Sequence, residues 1–435
     1  MHLAMAALIA GQVDAPCEAL LDLIEQHLRR IEPTLSYAMA QDNNHGTSEA
    51  AALLIGGSWL ASTGRRAGLH WQRLGRRWLE NRAARLIAPD GSFSQHSVNY
   101  HRVMLDSLSM VEVWRRQLAL PAFSPRWRER AAAAARWLTA MVDLQSGDAP
   151  NLGANDGARL LPLTDTDYRD FRPSLQLAMA LFAGERAIAG DGDWNLPLQW
   201  LGGELPDAPM PAPSSRQFDD GGYALLRQSQ AMALLRYPRF RFRPGHADAL
   251  HIDLWVDGEN LLRDGGSYSY NTDAEWLDYF PGTASHNTVQ FDSRDQMPRL
   301  GRFLFGDWLR ATGVAPVELV NGDWGCAAGY RDRQGASHHR EVSLGVDCLR
   351  VRDQLAGFER AAVLRWRLRP GDWRIDGNRA IDGQHVITVT DAGIPAQINL
   401  VEGWESRYYM RKMPLPVLEV TVRQPGTLET QYRWR

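Results

Sequence analysis

The sequence predicts a multidomain α+β chain, an incomplete α/α toroid followed by an antiparallel β-sandwich, and three observations carry that expectation. The 435 residues exceed what one hydrophobic core usually supports. Apolar residues recur at helical spacing through the first half and at a spacing of two through the second. Between the halves, Leu205 to Ser215 reads LPDAPMPAPSS, with four prolines and no periodicity, as a junction does. The expected boundaries are a helical domain over 1–204, a proline-rich linker over 205–216 and a β-sandwich domain over 217–435.

The helical half follows from apolar stripes near 18–31, 47–62, 67–88, 97–117, 126–143 and 174–184. Ser94 before Val98, and Ser124-Pro125 before the alanine run, supply helix starts, while glycine-containing stretches at 145–157 and 189–193 interrupt the pattern. Helical hairpins in succession suggest the toroid. Beyond the junction, Tyr223–Leu226, Ala233–Leu235, His251–Trp255 and Val386–Val389 alternate between Gly, Asp and Asn punctuation, and Leu418–Val422 and Gln431–Trp434 look like closing strands.

Composition sets limits on function. Hydrophobic residues make up 44% and charged residues 23%, an ordinary globular balance. With 48 Lys plus Arg against 51 Asp plus Glu, no global positive field gathers nucleic acid or an anionic membrane. Arg236, Arg239, Arg241 and Arg243 could line a groove for carboxylates or sulfates, or form a solvated strand face. The three cysteines form no CxxC pair, which argues against a cysteine-rich zinc module and leaves open one Cys326–Cys348 bridge. The apolar stretch Met1–Ala10 has no Lys or Arg ahead of it, so it is a poor signal peptide and too short to span a bilayer.

Four constellations could carry chemistry. Asp42-Asn43-Asn44-His45 stands before a helix expected to start near Thr47 and Ser48, where Asp42 or Asn44 could serve simply as a cap. Ser94 to His101, SQHSVNYH, leads into a helix whose stripe begins at Tyr100, a residue type that buries well in a core but can exchange a proton when neighbours adjust it. Gly153 to Arg159 is a polar loop that a turn would explain. In the β half, His246 and Asp248 are expected to open a strand, followed by Asp264 in Arg263-Asp264-Gly265-Gly266, Tyr279 and Ser285-His286-Asn287. Two histidines and an aspartate suit zinc, although separately hydrogen-bonded buried residues would also account for them.

Taken in order, Asn43-Asn44-His45, Asn99-Tyr100-His101, Gly245-His246-Ala247-Asp248-Ala249-Leu250, Asp264-Gly265-Gly266-Ser267-Tyr268 and Thr283 to Val289 resemble the heparinase II/III-like polysaccharide lyases, a group that includes alginate and oligoalginate lyases. The resemblance spans nearly the whole chain, including His338-His339-Arg340 and Leu349 to Asp353. It implies a toroid followed by a β-sandwich and cleavage of uronic-acid polysaccharides by β-elimination. By the same resemblance Asn44 binds the substrate carboxylate, His45 neutralises it or takes the C5 proton, Tyr100 protonates the departing glycosidic oxygen and His101 tunes or orients Tyr100. Tyr279, Arg243 and Asn155 are candidate substrate contacts, and His246, Asp264 and His286 match ligands of a structural zinc ion. The substrate cleft is expected where the halves meet.

One departure stands out. The family commonly carries a carboxylate-neutralising histidine two residues before His246, and here that position is Pro244, so either Arg243, His251 or an arginine from Arg236 to Arg241 takes over, or the substrate carboxylate is held differently, or activity is reduced. Trp59, Trp71, Trp255 and Trp276 are candidates for stacking on sugar rings among 16 tryptophans. The resemblance favours a periplasmic or secreted location, the implied partner is an acidic polysaccharide or oligosaccharide, and a homodimer is left open. Two other readings stand beside it: a glycoside hydrolase using Glu49 and Asp156 as acid and base, and a non-catalytic saccharide-binding protein of a polysaccharide pathway.

Overall fold

The computed structural model describes residues 1–391, 393 and 396–434. Its chain divides into two compact units. One comprises Met1–Gln95, Tyr100–Val142 and Ala158–Pro211, and the other His96–Asn99, Asp143–Gly157 and Ala212–Arg435.

The first unit is helical. Glu18–Ile31 buries Leu21, Ile24 and Leu28, the spacing of a single helical stripe. Asn44–Ser62 and Gly68–Leu86 form a hairpin of two long helices whose backbones approach closely. The approach depends on glycine: a Cβ on Gly75 would lie 2.4 Å from the Leu54 nitrogen. Pro125–Met141 starts where Ser124 and Pro125 indicated, with the Ser124 hydroxyl accepting from the Trp127 N–H at 3.2 Å. Val98–Gln117 and Arg172–Phe182 complete the long helices, and the first of these is buried from Val98 through Trp114. A short helix, His2–Ile9, occupies the apolar start, and no described helix is long and apolar enough to cross a membrane.

The second unit is built from antiparallel sheets. Five strands, from Arg216–Phe218 to Glu259–Leu262, form a meander in chain order. Eight strands form a second sheet whose middle is Gly426–Arg433, Cys348–Ala356 and Ser337–Leu344. A third sheet joins Ala396–Tyr408, Arg411–Val422, Ala362–Arg367 and Val289–Phe291. Cys348–Ala356 shows why they pack: Leu349, Val351, Asp353 and Leu355 face inward and Arg350, Arg352 and Gln354 outward. Leu226 and Leu235 of the first sheet, Val342 and Val351 of the second, and Leu364 and Val420 of the third share one apolar core. The toroid-plus-sandwich class expected from periodicity is the class found.

Three local expectations are corrected. Cys326 and Cys348 are free thiols, because the strand Ser337–Leu344 lies between theirs, with Val342 opposite Cys326 and Val351. Two strand spacings, about 9.5 Å, exceed the reach of a disulfide. His246 and Asp248 lie in a loop, and the strand they were expected to open begins at His251. Trp59, Trp71 and Trp255 are 0%, 4% and 2% exposed and belong to the core, whereas Trp276 is half-buried at the surface.

Candidate functional site

In the helical unit, the helix carrying Asn44 begins at Asn44 itself, earlier than expected from the sequence. Asn43 is its cap: the Asn43 Oδ1 accepts from the His45 N–H at 3.0 Å and the Asn43 amide donates to Gln41 Oε1 at 2.9 Å. The Asn44 N–H donates to Gln95 Oε1 at 2.8 Å. Asp42 has a different task. It takes a left-handed φ of 49° and accepts from Arg85 and Arg82, and these pairs, led by the Arg85 hydrogen bond, hold its carboxyl below the usual range. With backbone groups satisfied in this way, the half-buried Asn44 and exposed His45 side chains make no hydrogen bond among the described residues. Gln95, the second residue of the SQHSVNYH motif, fixes the first turn from 51 positions away.

Tyr100 is the third residue of Val98–Gln117 and is 7% exposed. His101 is fully buried. Its ring stacks on Trp137 at 4.3 Å and its Nε2–H donates to the Ala134 carbonyl at 2.9 Å. Burial pulls its pKa down to about 4, against the pull of that carbonyl, so the ring is neutral at pH 7. Consecutive helical residues point about 100° apart, so the His101 ring does not share a helix face with Tyr100. Burial raises the carboxyl of Glu49 above its usual value.

In the β unit, the predicted metal ligands do come together. One ligand atom from each of His246, Asp264 and His286 lies within 4.8 Å of the others, and all three residues are buried. The DGG turn explains the position of Asp264. Its Oδ1 accepts from the Gly266 N–H at 2.7 Å, which leaves Oδ2 toward His286 Nδ1 at 2.9 Å and His251 Nε2 at 3.5 Å. Gly266 has φ +72°, and a Cβ there would strike the Asn151 amide at 2.0 Å and the Ser406 carbonyl at 2.5 Å. Burial alone would raise the Asp264 carboxyl, but the combined pull of His286, His251 and His246 holds it well below the carboxylate range. Burial lowers His246 to about 4, which keeps that imidazole neutral. Nδ1 of His246 and Nε2 of His286 are buried without a hydrogen-bond partner. Two imidazole nitrogens and one carboxylate form a donor set that fits a divalent ion such as zinc, with a fourth position for water.

A layer behind these residues holds them, drawn from the motifs His338-His339-Arg340 and Leu349 to Asp353. Arg340 donates to Asp353 at 2.6 and 3.1 Å and to the Asn287 carbonyl at 2.7 Å, and also reaches the Leu250 carbonyl, so it ties both histidine loops to the eight-stranded sheet. His338 donates to the same carboxylate at 2.6 Å. Burial would raise Asp353, but Arg340 and His338 outweigh it and hold it down to about 2. The Asn287 amide donates to the Ile252 carbonyl at 2.7 Å, and its Oδ1 accepts from the Arg367 N–H at 2.6 Å.

The remaining candidates are dispersed through the β unit. Tyr279 ends the helix Ala274–Tyr279, and its hydroxyl accepts from Arg367 at 3.0 Å and from the Trp404 N–H at 2.9 Å. Asn155 is buried and accepts from the Gly157 N–H at 2.8 Å, a turn-forming bond. Arg243 and Arg241 are exposed, Arg239 pairs with Asp219 at 3.0 Å, and Arg236 is fully buried, donating to the carbonyls of Gly221, Gly222 and Tyr237. The four arginines therefore form neither one groove nor one strand face. His251 is also fully buried, its Nδ1 accepting from the Asn287 N–H at 2.9 Å. Of the residues named to replace the histidine absent at Pro244, Arg243 and Arg241 are the exposed ones. His96 adopts φ +52° against Phe240, and burial and the nearby Arg236 charge push it well below its ordinary pKa.

Known proteins share this architecture. A heparinase III with methylated lysines aligns with a TM-score of 0.73 at 14% identity, over 96% of this chain and 62% of its own. A heparan sulfate lyase mutant of Pedobacter heparinus aligns at 0.69 and 17% identity, over 93% of this chain and 62% of its own. A chondroitin AC lyase of Streptomyces coelicolor A3, solved with chondroitin sulphate, aligns at 0.54 and 14% identity, over 89% and 60%. At such identities the likeness is one of fold, and the chain spans less than two thirds of the length of these proteins. No curated protein sequence matches it. The family model described as heparinase II/III-like, C-terminal, matches residues 210–435, more than half of the chain. The chain belongs to the heparinase II/III-like family.

Proposed function

We propose that the chain is a polysaccharide lyase that cleaves a uronic-acid-containing polysaccharide by β-elimination. The observation that carries this reading is the first turn of Asn44–Ser62, where an amide and an imidazole with unused side-chain groups stand at the positive end of a 19-residue helix. An anion is favoured at such an end, and a uronate carboxylate is the anion this chemistry needs neutralised. With Asn44 donating to the carboxylate, negative charge spreading from C5 is stabilised as it develops. The base removes the C5 proton, the C–H electron pair forms the C4–C5 double bond, the C4–O bond breaks, and the departing oxygen takes a proton.

In this reading His45 assists at the carboxylate or takes the C5 proton, Tyr100 delivers the proton to the leaving oxygen, and His101 is a positioning residue. Tyr279, Arg243 and Asn155 contact the saccharide. His246, Asp264 and His286 hold a structural zinc ion, whose contribution is to brace the two histidine loops. The test is incubation with alginate, heparan sulfate, hyaluronan and bacterial exopolysaccharides, followed by ultraviolet absorbance of unsaturated uronate. An unsaturated product is expected on at least one of them. Products with ordinary reducing ends and no unsaturation, or no cleavage on the whole panel, would overturn the reading.

A further inference from the structure

Of the 48 cationic side chains in the sequence, a single one is lysine. Lys412 lies near the start of the strand Arg411–Val422, and its Nζ sits 3.1 Å from the ring centroid of Trp276, 5.1 Å from that of Trp404 and 5.4 Å from that of Tyr268. It has no ion pair or hydrogen bond among the described residues. Glu405, opposite Met413 on the neighbouring strand, is buried and committed to Arg263 at 2.7 Å. The cation is therefore held by ring faces alone, with its three N–H donors unmatched by any acid.

The rings around it are half-buried. Trp276 meets Trp404 at 5.6 Å and Tyr279 at 6.1 Å, and the hydroxyl of Tyr279 is fixed by the Trp404 N–H. The Met410 N–H donates to the Tyr268 carbonyl at 2.7 Å, which sets this cluster beside Tyr409, Tyr270 and the exposed Phe303, with ring contacts of 5.6 and 4.9 Å. An aromatic surface of this kind accepts the apolar face of a sugar ring, and an ammonium without a counter-ion beside it accepts a carboxylate or sulfate.

We propose that Lys412, caged by Trp276, Trp404 and Tyr268, is the anion-recognition point of a subsite that binds one acidic sugar residue against this aromatic surface. The three rings restrict the long side chain before binding, so little of its freedom remains to be lost when the anion arrives. The inference rests on the lyase reading for the kind of polymer bound, and on the geometry of the β unit for the site itself.

Because the sequence contains one lysine, the test can use the intact chain. Acetylation with an N-hydroxysuccinimide ester, followed by peptide mass spectrometry, reads Lys412 against the α-amino group as internal control. Oligosaccharides of alginate, hyaluronan or heparan sulfate, at least one of them, are expected to slow acetylation of Lys412 about tenfold, the scale of one charge-assisted hydrogen bond, while neutral dextran leaves it unchanged. Lys412→Met should lose about tenfold in affinity for the protecting saccharide, and Lys412→Arg should keep most of it. Protection by none of the three, equal protection by dextran, or a lysine that does not react in the free protein would overturn the proposal. Protection without an unsaturated product would sink the lyase reading and leave the subsite standing. An unsaturated product formed by Lys412→Met with unaltered KM would sink the subsite and leave the lyase.

Discussion

The helical unit and the β unit present their candidate residues in opposite ways. In the helical unit, Asn44 is held through its N–H by Gln95, His45 through its N–H by Asn43, and His101 through its ring by the Ala134 carbonyl. In the β unit the candidates are bound to one another, with Asp264 touching His286 and approaching His251, and Arg340 tying both histidine loops to Asp353. A closed, mutually bonded cluster suits a metal brace, which must not move. Side chains whose backbone is fixed and whose functional groups are unused suit contact with a substrate that comes and goes.

Tyr100→Phe should break the comparison most visibly. It removes one hydroxyl and no ring packing, so the melting temperature should stay within a degree or two while kcat falls about 10³-fold, the scale of a lost proton transfer. Single-turnover kinetics alongside saccharide binding would check this. Retained activity would remove Tyr100 from the chemistry.

His286→Ala should act the other way round. Wild-type protein is expected to carry about one zinc per chain by elemental analysis, and the variant none. Its melting temperature should fall on the order of 10 °C, since the folding free energy supplied by the ion is lost and Asp264 is left buried with fewer partners. Metal-free wild-type protein of unchanged stability would show that the cluster is a hydrogen-bonded core and not a brace.

How much of this was legible in the sequence depends on the range of the contacts involved. The stripe Leu21, Ile24, Leu28 and the alternation Leu418–Val422 are local patterns, and both lie in elements of the type that periodicity indicates. The motif Asp264-Gly265-Gly266 was marked as well, and the glycine at Gly266 answers a backbone need there. The contacts of Gln95, Arg340 and Lys412 were not legible. Each acts on residues brought near by the fold: Gln95 on Asn44, Arg340 on Leu250 and Asn287, and Lys412 on Trp276. No spacing rule connects such pairs. Tryptophan type likewise says nothing about exposure, which separates Trp276 from Trp59, Trp71 and Trp255. The helix start at Asn44 was misplaced because three consecutive residues, Asp42, Asn43 and Asn44, could each cap, and only the Asn43 side chain reaches the His45 N–H.

The smallest expected effect concerns pH, and it rests on two groups buried in one helix. Helix Val98–Gln117 buries two titratable groups whose shifts oppose each other. Burial lowers His101 from 6.5 to about 4, so the unfolded chain takes up the proton first and the contribution of His101, full above about pH 6.5, is lost as the pH falls toward 4. Burial raises Asp106 from 3.8 to about 6 against the pull of Arg102, so its contribution is full below about pH 3.8 and is lost as the pH rises through 6. Each shift corresponds to about 3 kcal/mol, and between pH 6.5 and 4 the two nearly cancel. Asp106→Asn should therefore lose about 3 kcal/mol more than wild type on acidification across that window, and His101→Gln should gain a similar amount, measured as the difference in urea midpoint between variant and wild type at each pH. Parallel pH profiles for both variants and the wild type would mean that these groups are solvated in the folded state. In that case the contrast between His101, kept neutral by burial, and Asp353, which stays ionised through its bonds to Arg340 and His338, would fail.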